Sequence, residues 1–175
     1  MSEAKALIDF FNLVKSKDAN FLIYKNENIT LIVSGIGKIN SCIATSYLKA
    51  DNLILNIGIC ASAYQNHKIG DIFQIDKIID KSSTKVIHHK SEQSHFNTAT
   101  ITCCDTPQND SKKFKNTLID MESFGFFKAS KKFTNSENII LIKVVSDKIK
   151  DDILTKKEVY ELIFPHLASI KKILF

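Results

Sequence analysis

Thr117-Leu118-Ile119-Asp120-Met121-Glu122 and Ile139-Ile140-Leu141-Ile142-Lys143-Val144-Val145-Ser146-Asp147 are two β-rich runs that each close on carboxylates. Between them Phe124, Phe127 and Ala129 recur at helical spacing, which predicts a core-packed helix over 121–133. The stretch reads strand, turn, helix, strand, the pattern of an α/β sheet. Ligands of open α/β sheets sit outside the carboxyl ends of strands, so the acids at these two ends are expected to face one pocket. Taken alone, Asp120 and Glu122 also suit a helix N-terminal cap, and Asp147 a strand-end turn.

Upstream, residues 52–58 form a nearly continuous apolar run, as expected of a parallel strand buried on both faces, with a loop predicted over 59–68. Ser34-Gly35-Ile36-Gly37-Lys38 opens a helix carrying Ile39, Ile43, Ala44 and Leu48, so a glycine turn links strand to helix. Lys38 reads as a solvated first-turn lysine, with a phosphate contact as the alternative. Phe21-Leu22-Ile23-Tyr24 and Ile29-Thr30-Leu31-Ile32-Val33, joined by a polar turn, predict a hairpin. Ala4, Leu7, Ile8, Phe11 and Val14 predict an opening helix with Glu3 in its first turn.

Downstream, β character resumes over 69–79 and 98–104. The polar segment 80–97 reads as a surface loop or edge hairpin, and its His88, His89 and His95 lack metal-ligand spacing. A last helix is expected from Thr155, an N-cap with Glu158 three residues on, to Leu174, kinked or split at Pro165. Phe73, Phe96 and Phe124 are candidates for a stacking face, with core packing the competing reading.

A chain of 175 residues, 44% apolar and 25% charged, suits a single domain spanning 1–175. No apolar run approaches the roughly 20 residues of a membrane helix. The first residues carry an acid and no apolar core, unlike a signal peptide, so a cytoplasmic protein is expected. Cys42, Cys60, Cys103 and Cys104 also lack ligand spacing and read as reduced, buried thiols. The +5 net charge comes from lysine alone, since the sequence contains no arginine. The lysine pairs look like solvated helix faces, not a nucleic-acid stripe.

Ser34-Gly35-Ile36-Gly37-Lys38, then Asn56-Ile57-Gly58 followed by Ile69-Gly70-Asp71-Ile72, then Asp120-Met121-Glu122, then Val145-Ser146-Asp147 make an ordered set. In that order and spacing the chain resembles the nucleoside phosphorylase superfamily, and within it most the methylthioadenosine/S-adenosylhomocysteine nucleosidases. The resemblance implies a mixed central β-sheet flanked by helices, a homodimer or larger homo-oligomer, and cleavage of a purine nucleoside's N-glycosidic bond in purine salvage. It implies no cofactor and no metal. By resemblance Met121 and Glu122 would hold the ribose, Ser146 and Asp147 would protonate the purine, and Glu3 would orient the attacking water. The chemistry agrees, because a glycosidic bond breaks through an oxocarbenium-like state that wants an anion beside the sugar and an acid at the leaving group. Glu122, at a helix start, is expected to stay ionised through backbone amides.

The chain also departs from the pattern. Met1 stands two residues before Glu3, so the expectation is either that the family's usual first strand is absent or that the chain as given is shorter than its relatives. Ile59 stands where a ribose- or phosphate-binding hydroxyl is expected, with Ser62 the nearest substitute. Phosphorolytic members hold phosphate with arginine forks, which lysine does not reproduce, so hydrolysis is favoured. The alternatives are a non-catalytic nucleoside- or nucleobase-binding member of the fold, and a phosphorylase with an atypical phosphate site.

Overall fold

The computed structural model describes residues 2–17, 20–49, 52–89, 96–149 and 154–175, so His95 lies outside the described residues. The chain opens with α1 (Ser2–Phe11). It ends earlier than the apolar spacing predicts because Asn12 turns left-handed at φ 53°. Val14 then joins β1 (Val14–Lys15), which pairs antiparallel with β2 (Leu22–Lys25). The predicted hairpin forms between β2 and β3 (Thr30–Val33), with Asn26 Oδ1 accepting from the N–H groups of Asn28 and Ile29 to close the turn.

The remaining strands make one mixed sheet. They are β4 (Ile54–Ser62), β5 (Ile72–Asp80), β6 (Val86–His88), β7 (Thr98–Cys103), β8 (Leu118–Asp120) and β9 (Ile139–Asp147). Their order is β6-β5-β7-β8-β4-β9, and β5 also pairs with β9, so five strands close a circuit and β6 hangs on its edge as a hairpin. β4 runs four residues past its predicted end, because Ala61 and Ser62 pair with Ile119 and Leu118 of β8. The expected loop at 59–62 is therefore strand.

β9 is buried on both faces, as its unbroken apolar run requires. Ile140, Ile142 and Val144 pack under α1, α4 (Lys156–Ile163) and α5 (Leu167–Leu174), while Ile139, Leu141 and Val145 face the opposite cluster with Ile75, Ile78 and Ile101. Thr155 and Glu158 form the expected capping box on α4, and a 3-10 turn at Phe164–His166 splits the last helix at Pro165. Among the described residues no helix is long and apolar enough to cross a membrane, and no group of three or more His, Cys, Asp or Glu could hold a metal ion. Cys60, Cys103 and Cys104 are buried free thiols, whereas Cys42 is only half-buried.

α2 (Lys38–Leu48) and α3 (Ser123–Ser130) cross at near-zero clearance, because a Cβ on Gly125 would lie 2.1 Å from the Lys38 carbonyl oxygen. α3 is shorter than the predicted 121–133. Gly125→Ala must push the two backbones apart. Urea denaturation is expected to show a loss of about 1–3 kcal/mol with an unchanged slope.

Candidate active site

The site is built over Gly58. Alternation along β4 sends Leu55, Ile57 and Ile59 toward the helices α1 and α4, and Ile54 and Cys60 to the other face, which Gly58 shares. A Cβ there would stand 3.1 Å from Glu3 Oε1 and 3.2 Å from Lys143 Nζ. Lys143 is the register partner of Gly58 on β9 and is only 2% exposed. With no side chain below it, its ammonium crosses β4 to Asp120 Oδ2 on the β8 side, 2.9 Å away. Burial alone would discharge Lys143, but Asp120 and then Glu122 outweigh it and lift its pKa above the ordinary lysine value.

Asp120 also accepts from the Ser123 N–H at 2.9 Å and the Ser123 hydroxyl at 2.7 Å, so the expected capping role and the ion pair coexist in one carboxylate. Glu122 Oε1 accepts from the Gly37 N–H at 2.8 Å, at the N-terminus of α2, and Oε2 from the Met121 N–H at 3.3 Å. The amides are in place, but burial outweighs them and raises its pKa. Glu3 Oε1 accepts from the Ile59 N–H at 2.9 Å, which ties the start of α1 to the edge of β4. Ile59 thus contributes its backbone, while its side chain packs into the cluster beneath α1.

Asp147 arrives by a different route. β8 and β9 run in opposite senses, antiparallel and parallel to β4, so their acids do not share an end of the sheet. They approach because β8 stops midway along β4 and because the register slips past Ser146, leaving Ala61 opposite both Ile119 and Asp147. Two strand spacings, about 10 Å, separate those flanking backbones. The Ser146 hydroxyl, 3.1 Å from the Cys60 carbonyl, lies 2.8 Å from Asp147 Oδ2, and the Ile149 N–H donates to Oδ1 at 2.7 Å. Ile149 holds a left-handed backbone, φ 61°, with its side chain buried against Phe114, Cys104 and Ile119.

The phosphate alternative for Lys38 loses its chemistry. Its ammonium meets Asp80 Oδ1 at 2.5 Å and Asp105 Oδ1 at 2.6 Å, so it is a neutralised strut and not a solvated lysine. Burial opposes charge on Asp80, yet hydrogen bonds from Lys38 and Ser83 hold its pKa at about 2. Ser62 does not stand in for the missing hydroxyl, since its Oγ bonds His67 Nδ1 and accepts from the Tyr64 N–H, both at 3.2 Å. His67 stacks between Tyr64 and Phe73, placing Phe73 in the core. A cleft of about 890 Å³ opens beyond these rings, lined also by Phe114, Asn116 and Lys148. Lys148, the residue after Asp147, is part of its lining.

No family profile matches the sequence, and no curated protein matches it. Solved structures do. A nucleosidase from Neisseria meningitidis, in complex with methylthio-immucillin-A, superposes with a TM-score of 0.79 over 98% of this chain and 94% of that one, at 17% identity. The fold is that of the methylthioadenosine/S-adenosylhomocysteine nucleosidases. A Chlamydia trachomatis protein (TM-score 0.77, 19% identity, 99% and 94% covered) and the Arabidopsis thaliana methylthioadenosine nucleosidase (0.78, 15%, 99% and 92%) share it.

Within this nucleosidase fold the residue that sequence reading missed is Lys143. Its signal was visible: a lone lysine inside an apolar strand must be paired, and acids were at hand in Asp120 and Glu122. Lys143→Met leaves Asp120 buried without its cation and is expected to cost about 3–5 kcal/mol in urea melts, with part recovered by Asp120→Leu in the same chain. A second test uses acid. Burial is the main cause that pushes His67 and His89 below the ordinary 6.5, and His89, bonded through Nε2 to the Ile139 carbonyl, has no partner at Nδ1 for a second proton. The unfolded chain therefore takes up protons first. Their contribution is fully present above pH 6.5 and is lost as pH falls through the depressed values. Glu122 acts with the opposite sign, its contribution lost as pH rises from 4.5 through the raised value. The melting temperature is expected to drop between about pH 7 and pH 5, less so in His89→Gln.

Proposed function

We propose that the protein hydrolyses the N-glycosidic bond of a purine nucleoside of the methylthioadenosine or S-adenosylhomocysteine type. The observation that carries this reading is the gathering of Glu3, Asp120 and Glu122 around one buried lysine over Gly58, with Asp147 beyond the bulge. Three acids against one ammonium leave the cluster negative, which stabilises the positive charge that grows on the ribose as the bond breaks. Glu122 and Met121 bind the sugar. Glu3, held by the Ile59 N–H, orients the attacking water beside the Lys143 ammonium. Asp147, aimed by Ser146 and Ile149, gives a proton to the departing purine. No cofactor takes part.

Hydrolysis is favoured over phosphorolysis by two contacts. Glu122 already occupies the amide at the α2 N-terminus, where an anion would bind, and Lys38 is neutralised by two aspartates. The nucleoside is supplied to a cytoplasmic homodimer working in purine salvage. One observation favours the second reading, a nucleoside- or nucleobase-binding protein without catalysis. Neither Ile59 nor Ser62 offers a free hydroxyl to the ribose.

Adenine release from methylthioadenosine and S-adenosylhomocysteine decides between them. Phosphate-independent release is expected, reduced about a hundredfold or more in Asp147→Asn at unchanged stability. Nucleoside binding by calorimetry with no release would replace the hydrolase by the binding protein, and release that requires phosphate would replace it by a phosphorylase.

A further inference from the structure

We propose that Lys38 is a positioning residue: by joining the start of α2 to the ends of β5 and β7, it holds the Gly37 N–H on the carboxylate of Glu122. The inference rests on the reading of Glu122 as a ribose-binding residue and deepens it. Lys38, neutralised by two aspartates, serves the sugar site from outside it.

The need for an anchor comes from the local chain. Gly35 and Gly37 hold φ 81° and 100°, so α2 is entered through two glycines with positive φ, where the backbone has the most freedom to move. Gly37 is the N-cap of α2 and offers no side-chain cap, and no acid stands in the first turn. Its N–H donates to Glu122 Oε1 at 2.8 Å, so a loosely entered helix supplies a donor to the site. A lysine in that first turn has the wrong sign for the helix dipole. Helix chemistry therefore does not explain why Lys38 is there.

The anchor lies one residue beyond the donor. Lys38 Nζ meets Asp80 Oδ1 at 2.5 Å, Asp105 Oδ1 at 2.6 Å and Ser82 Oγ at 2.9 Å. Asp80 is itself seated by the Ser82 hydroxyl and by the N–H and hydroxyl of Ser83. With the Lys38 side chain 14% exposed and that of Asp80 5%, salt screens this pair little. Asp80, Cys103 and Asp120 are register partners across β5, β7 and β8, which run parallel, so their carboxyl ends lie abreast. Asp105 stands two residues past Cys103, and Glu122 two past Asp120. At its backbone, Lys38 sets its carbonyl oxygen against Gly125 of α3, whose N-cap is Glu122. Held by side chain and main chain, one residue fixes the first turn of α2 across these strand ends. The Gly37 N–H is fixed with it.

Lys38→Met alone strands Asp80 without its cation, so the test uses Lys38→Met/Asp80→Asn, which removes both charges together. The Gly37 amide is expected to exchange about tenfold faster in that variant, read by NMR. Methylthioadenosine affinity, read by calorimetry in an Asp147→Asn background so that the nucleoside is not cleaved, is expected to weaken about tenfold, the low end for a hydrogen bond to a charged group. With Glu122→Ala also present, the same two substitutions are expected to change affinity less than about twofold, because all act through one bond. Asp105→Ala removes an acid that is 59% exposed and gives the answer even where the first variant fails to fold. It is expected to speed Gly37 exchange about twofold. A lysine that only stabilises the fold would lower urea stability and leave Gly37 exchange and affinity as they were. That result, or an affinity loss that adds in full to the loss from Glu122→Ala, would overturn the proposal. Glu122→Ala binding as tightly as wild type would overturn the ribose reading and the proposal with it. Failure of the hydrolase reading looks different: wild type binds methylthioadenosine and releases no adenine, while exchange and affinity still follow Lys38.

Discussion

One buried cation organises this molecule. Lys143 sits in the middle of a strand that is apolar on both sides, where an unpaired ammonium would cost several kcal/mol, a large share of the 5–15 kcal/mol that holds a typical domain together. Its acids come from separate elements: Asp120 from the end of β8, Glu122 from the start of α3, Glu3 from the start of α1. Lysine suits the place because its compact charge can be shared among carboxylates that arrive from different directions, where a planar fork would select one. The same pairing that permits Lys143 to be buried therefore assembles four elements over one glycine.

Gly58 is the complement of that charge. Its missing side chain gives the lysine a path across β4, and the space is bounded by a carboxylate oxygen and an ammonium nitrogen at nearly equal range. The closed strand circuit matters for the same reason. β9 is paired on one edge to β4 and on the other to β5, with Gly58 and Phe73 as the two partners of Lys143, so the lysine backbone is fixed from both sides. A cation held this rigidly needs little reorganisation to act on a charge that appears beside it.

Much of the fold was legible in the sequence where local chemistry decides structure. The hairpin around Asn26, the capping box at Thr155 and the break at Pro165 follow from side chains speaking to their own backbone. The failures lie where distant chain decides. Residues 59–62 looked like a loop and became strand because β9 pairs with Ile59 and Cys60 and β8 with Ala61 and Ser62, and α1 stopped at Phe11, ahead of the pairing of Val14 with Lys25. The candidate residues were legible by kind, but the reason for their meeting was not. Strand ends suggested a shared crevice, whereas a half-length β8 and a one-residue slip at Ser146 produce the approach, and neither leaves a mark in composition or spacing.

The turn after Asp147 carries a further consequence. A β-branched residue in the left-handed region costs about 1–2 kcal/mol, yet burying an isoleucine side chain contributes about 1.5–3 kcal/mol, so the balance at Ile149 is set by its apolar neighbours. The donor that aims one oxygen of Asp147 is thereby held in place by the packing of Ile149 against Phe114, Cys104 and Ile119. Aim is a by-product of grease. In the proposed hydrolase a cavity at Phe114 would blunt the aim of Asp147 while the sheet around it stood intact, and activity would then fall well before the fold did.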